Sequence, residues 1–107
     1  MIYLASPYSD PDELVREARY EAALFYTVQL FKQGLFVFSP IVHCHHMEKT
    51  FRLHGDFRFW QTYDEEMITV ASELRVLALR GWENSKGVQH EIAYADYLGK
   101  PVIFVDP

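Results

Sequence analysis

The segment Ser85-Lys86-Gly87-Val88-Gln89-His90-Glu91 holds residue types that do chemistry at a helix start: a small hydroxyl, a flexible glycine and, about one turn on, a carboxylate. An apolar run precedes it, and a helix-like segment with a second apolar run follows. In an open α/β sheet that order places the loop beyond the carboxyl end of a strand. Ligands bind there, and the free N–H groups and dipole of a helix N-terminus favour anions. Glu91 in this setting reads as a nucleophile or general base. It also fits an ordinary first-turn glutamate, favoured by the dipole by roughly a few tenths of a kcal/mol.

Asp64 stands with Glu65 and Glu66 near the expected start of another helix, where acidic residues complement the dipole. Two carboxylates from different helices that converge on one crevice support glycosyl chemistry. One attacks or stabilises the anomeric carbon while the other handles a proton on the leaving group. His43, Cys44, His45 and His46 are zinc-ligand types, but they are nearly consecutive, and His54 or His90 would have to complete a site. A histidine that packs or hydrogen-bonds a substrate suits them better, and the sequence calls for no metal and no cofactor. Ser6-Pro7-Tyr8 ends a strand and either simply turns the chain or presents Tyr8 to a ring-shaped ligand. Arg16, Arg19, Arg52 and Arg58 read as solvated, with one of them free to pair an anionic group. Trp60 and Trp82 read as packing or interface residues.

The elements that must position these residues follow from punctuation and period. Ile2-Tyr3-Leu4-Ala5 reads as a buried first strand, and Asp10-Pro11 as the cap and first residue of a long helix that Gly34 stops. Leu35-Phe36-Val37-Phe38 is a second strand closed by Ser39-Pro40. From Ile41 to Phe59 the period is lost, and the segment reads as a long functional loop with at most a helical turn. Trp60–Ala71 is helical, Leu74–Leu79 a third strand, Gly87–Leu98 a helix stopped by Gly99, and Val102-Ile103-Phe104-Val105 a fourth strand. Strand and helix alternate with short connections. That predicts an α/β fold, three-layer and Rossmann-like or flavodoxin-like, with a parallel sheet of order 2-1-3-4 and helices on both faces. The crevice at its switch point is lined by Ser6-Pro7-Tyr8, Ser39 to His46, and Gly81 to Gly87.

With 107 residues, half of them apolar, the chain is expected to form a single domain over residues 1–107 with one packed core. A net charge of −5 with scattered Lys and Arg argues against nucleic acid and anionic membrane surfaces as partners. The single cysteine excludes an intramolecular disulfide. No leader-like start and no apolar run of about 18 residues is present, which reads as a cytoplasmic protein.

Three blocks carry a family resemblance: Tyr3-Leu4-Ala5-Ser6-Pro7-Tyr8, Tyr63-Asp64, and Ser85 to Ala95 followed by Gly99-Lys100-Pro101-Val102. The third is the specific one. Over most of its length the chain resembles the nucleoside 2-deoxyribosyltransferase-like proteins, which include nucleoside deoxyribosyltransferases and 2′-deoxynucleoside 5′-monophosphate N-glycosidases. The resemblance implies that Glu91 is the nucleophile at C1′, that Asp64 handles the proton of the leaving base, and that Tyr8 helps hold sugar and nucleophile. It places Ser85 at the sugar or its 5′-phosphate; the free N–H groups near Gly87 suit a phosphate as well, and Ser6, Pro7, Ser39 and His43 join the substrate side through their place in the crevice. A homodimer or higher homo-oligomer is implied as well, and Tyr8, Phe51, Phe57, Phe59 and Trp60 are the aromatics that suit an interface. The chain departs from the family at Ala71-Ser72, where relatives often carry Ala-Asp, and in its histidine-rich segment, which has no counterpart there. A fifth strand and helix common in relatives are absent or rearranged.

The expected partner is thus a nucleoside or nucleotide. The alternatives are a non-catalytic nucleotide-binding module on the same fold and a metal-dependent hydrolase built on the histidine-rich segment.

Overall fold

Ile2-Tyr3-Leu4-Ala5 has no charged position, and in the computed structural model it forms the inner strand β1 (Ile2–Ala5), buried along its whole length. The structure describes residues 1–51 and 57–107, Phe57 by its backbone alone. Arg52 and His54, and the side chain of Phe57, lie outside the described residues. Strand β1 pairs in parallel with β2 (Val37–Phe38) on one side and β3 (Glu73–Leu77) on the other, and β3 pairs with β4 (Val102–Val105). The sheet is all-parallel with order β2-β1-β3-β4, as the sequence predicts. Its two edges differ. Strand β2 is two residues long, whereas β4 has four and leaves Ile103 41 % and Phe104 52 % exposed.

Helix α1 (Glu13–Lys32) starts later than Pro11 for a local reason. Asp10 accepts from the Asp12 amide at 2.9 Å and forms a turn ahead of the helix, so Asp12 becomes the cap and accepts from the Leu14 amide. At its other end Gly34 adopts φ +79°, the Leu35 amide reaches the Leu30 carbonyl at 3.1 Å, and the Gly34 amide reaches Phe31 at 2.9 Å. This Schellman stop uses Leu35, which is why β2 is shorter than the apolar run Leu35-Phe36-Val37-Phe38.

The stretch from Ile41 to Phe59 is not a long loop. Pro40–Phe51 forms helix α2, and a further helix, α3, spans Phe57–Val70. Ser39-Pro40 is a helix start: the Ser39 hydroxyl accepts from the Val42 amide at 3.2 Å, and proline takes the first helical position. The buried residues of α2 include Cys44 and His45, so a histidine fills a core position and hides the apolar period. Helix α4 (Lys86–Tyr97) is capped by Ser85, whose hydroxyl accepts from the Val88 amide at 3.2 Å. It ends on Gly99 with the same stop as α1, Lys100 reaching Ala95 and Gly99 reaching Asp96.

The pleat sorts the two sheet faces. Tyr3, Ala5, Leu74 and Val76 pack with Ile68 of α3 and Val88 and Ala95 of α4 in the main core. Arg75, between Leu74 and Val76, points the other way and meets the Tyr26 hydroxyl of α1 at 3.4 Å. Among the described residues no helix is long and apolar enough to cross a membrane.

Candidate active site

Beyond the carboxyl ends of β1 and β3 lies a cavity of about 550 Å³. Ser6 and Tyr8 come to it from the turn after β1, Cys44 and His45 from α2, and Trp60, Gln61 and Asp64 from α3. Ser85, Gly87, His90 and Glu91 come from the start of α4. Of the residues singled out in the sequence, Glu91, Asp64, Tyr8, Ser6, Ser85 and Gly87 therefore share one cavity.

Neither carboxylate sits in the first turn of its helix. Glu91 is the sixth residue of α4 and Asp64 the eighth of α3, so complementing the helix dipole does not account for either. Glu91 is 7 % exposed, and its Oε2 accepts a short hydrogen bond from the Tyr3 hydroxyl. Burial pushes the Glu91 carboxyl up to about 8, with Asp64 adding to the rise and the Tyr3 bond opposing it. Desolvation thus outweighs the helix dipole, which fades within the first turn. Burial, then the charge of Glu91, holds the Tyr3 hydroxyl well above its ordinary value, so Tyr3 remains the donor.

Asp64 is pushed up to about 7 by burial, against a lowering influence from His90. Its Oδ1 and the Ser6 hydroxyl are buried with no hydrogen-bond partner among the described residues, and both residues line the cavity. Buried polar atoms of that kind await a ligand or water. His90 Nε2 lies 2.7 Å from Glu65 Oε2, which also accepts from Gln61 at 3.2 Å, so this wall is already internally bonded. Burial, then the charge of Asp64, pushes the Cys44 thiol up to about 11, which leaves it without nucleophilic character at neutral pH.

Three candidates do not line the cavity. Pro7 is fully buried, Ser39 caps α2, and His43 lies against Phe38 and stacks on Tyr63. The aromatic hydroxyl on Glu91 is also not that of Tyr8. It belongs to Tyr3, inside the strand, while Tyr8 bonds His45 Nδ1 at 2.8 Å. A hydroxyl in an otherwise apolar strand was the available signal, since a buried tyrosine needs a partner for its OH. His45 and His46 both lie against Tyr20, one ring stacked and the other edge-on, with their own centroids 5.3 Å apart, while His43 stacks on Tyr63. Among the described residues no three His, Cys, Asp or Glu side chains gather closely enough to hold a metal ion.

An open parallel sheet with a cleft at its carboxyl end and two buried carboxyls in that cleft defines an α/β protein with a ligand-sized site. Over residues 1–106 the chain matches the family described as a domain of unknown function (DUF1937), and it belongs to that family. No curated protein matches the chain.

Proposed function

We propose that this protein cleaves or transfers the N-glycosidic bond of a deoxynucleoside or its 5′-monophosphate. The observation that carries this reading is the pair Glu91 and Asp64, brought from different helices into one cavity, both pushed toward neutrality by burial. Two carboxyls with matched, raised values hold one proton between them across the neutral range, which is the state that glycosyl transfer uses. Glu91 has the higher value and holds that proton in the larger share of molecules; the reactive arrangement is the other tautomer, with the proton on Asp64 and the charge on Glu91, and the Tyr3 hydrogen bond raises its share by favouring ionised Glu91. Glu91 attacks C1′ as Asp64 protonates the departing base, and water or a second base resolves the glycosyl-enzyme with net retention. Ser85, the Gly87 backbone and the free amides of α4 hold the sugar or its phosphate. The unpartnered Ser6 hydroxyl and Asp64 Oδ1 find their hydrogen bonds in the ligand.

The reading includes a cytoplasmic protein that acts as a homo-oligomer, for which the exposed Phe51 and Phe59 supply apolar surface. Sedimentation equilibrium checks the assembly. The activity is tested by incubating the protein with deoxynucleosides and their monophosphates and measuring free base by chromatography. Base is expected to appear with the wild type and to fall at least about a thousandfold with Glu91→Ala. Undiminished release by that variant sinks the proposal, and saturable binding without turnover across the panel identifies a nucleotide-binding module.

A further inference from the structure

A second chain of groups leads out of the same cavity. The Tyr8 hydroxyl lies 2.8 Å from His45 Nδ1, and His45 Nε2 lies 3.2 Å from Glu17 Oε1, within ion-pair distance though not aligned as a hydrogen bond. Glu17 Oε1 in turn receives Lys49 Nζ at 2.7 Å. His45 is 3 % exposed, with its ring stacked on Tyr20 at a centroid distance of 4.0 Å and a tilt of 14°. The imidazole therefore cannot swing without losing the stack.

The polarity of this chain follows from its outer end. The Lys49 hydrogen bond is the main cause that holds Glu17 below the ordinary carboxylate value, so Glu17 is an ionised acceptor and has no proton to give. A ring hydrogen on Nε2, the nitrogen that faces this carboxylate, leaves Nδ1 bare to accept. Tyr8 has one hydroxyl hydrogen, and Nδ1 takes it. What Tyr8 has left for the cavity it lines is lone pairs alone.

We propose that His45, backed by Glu17, is a positioning residue that fixes Tyr8 as a hydrogen-bond acceptor toward the cavity. The cavity then selects a ligand that donates a hydroxyl at that point, a sugar hydroxyl in the reading above, on which this last step rests. The three residues form the hydroxyl, imidazole and carboxylate series in which a carboxylate orients a ring that receives an O–H. Here the series sets a direction for binding.

Two measurements test it. Ring 15N spectra of the unliganded protein at neutral pH are expected to show His45 with hydrogen on Nε2 alone. Hydrogen on Nδ1, or on both nitrogens, overturns the proposal without reference to any substrate. Calorimetric binding of 2′-deoxyadenosine and of its 3′-deoxy and 5′-deoxy analogues, in a Glu91→Gln background that prevents turnover, reads the selectivity. One missing hydroxyl is expected to weaken binding about threefold to tenfold, the worth of one net hydrogen bond. That difference is expected to vanish in Tyr8→Phe and in His45→Leu, and Tyr8→Phe removes only one oxygen should the leucine variant fail to fold. Equal binding of all three nucleosides by Tyr8-containing protein, or selectivity retained in Tyr8→Phe, overturns it. If no nucleoside binds at all, the reading under Proposed function fails, and the 15N spectrum still decides the state of His45.

Discussion

Glu91 and Asp64 both have values above those of an unfolded chain, and this ties pH to activity and to stability. The active state holds one proton on the pair. Below about 7 both carboxyls are protonated and the nucleophile is lost, and above about 8 both are ionised and the acid is lost. Base release is therefore expected to follow a bell with its maximum between those values, measurable as kcat/KM against pH. Stability runs in one direction. A carboxyl whose folded value is raised binds more protons folded than unfolded, so stability falls as pH climbs from the unfolded value, about 4.3, to about 8. Glu91→Gln abolishes that cost. Its melting temperature is expected to exceed the wild type's at pH 9, by a free-energy difference on the order of 5 kcal/mol, and the gain should vanish near pH 4. An equal difference at both pH values would show that the carboxylate is not desolvated. The acid pair was legible in the sequence as two candidates, each with an innocent explanation as a first-turn residue. The Tyr3 hydroxyl was not legible as their companion, because it meets Glu91 across 88 positions of chain and only the sheet register brings it there.

At the scale of elements, the strands and the start of α4 could be read because their signals are local: unbroken β-prone runs, a serine cap and glycine stops. Helix α2 was hidden because its period runs through His45, whose polarity masks a fully packed position, and because Ser-Pro both ends strands and begins helices. The candidate site suffered in proportion, since α2 supplies the wall on which Tyr8 is held. The start of α4 offers a paired prediction. Ser85→Ala removes the hydroxyl that caps the helix and is expected to cost about 1 kcal/mol in denaturant unfolding. Gly87 is different, since a Cβ added there meets nothing nearer than the Ser85 hydroxyl at 4.0 Å. Gly87→Ala is expected to fold as well as the wild type or slightly better, and to weaken nucleotide binding by crowding the ligand. Unchanged affinity would mean that the ligand does not approach this backbone.

Across the whole molecule, one helix α1 lies on one face of the sheet and α3 and α4 lie on the other, and the cavity draws residues from the β1 turn and three helices. Arg19 helps to hold the rim together. From α1 its guanidinium reaches the Ser9 carbonyl at 3.0 Å and the Arg80 carbonyl at 3.2 Å, which ties the loops that follow β1 and β3. The two sheet edges carry a different consequence. With only two residues, β2 offers a newcomer too little backbone to hold on to, while β4 presents a full strand with apolar side chains half open to water. Any growth by strand addition is therefore expected to be polar, starting at β4 and leaving the opposite side inert. Ile103→Lys, which sets a charge on that rim, is expected to lengthen the lag before turbidity in concentrated, warmed samples, whereas a lysine at Val37 leaves the lag unchanged.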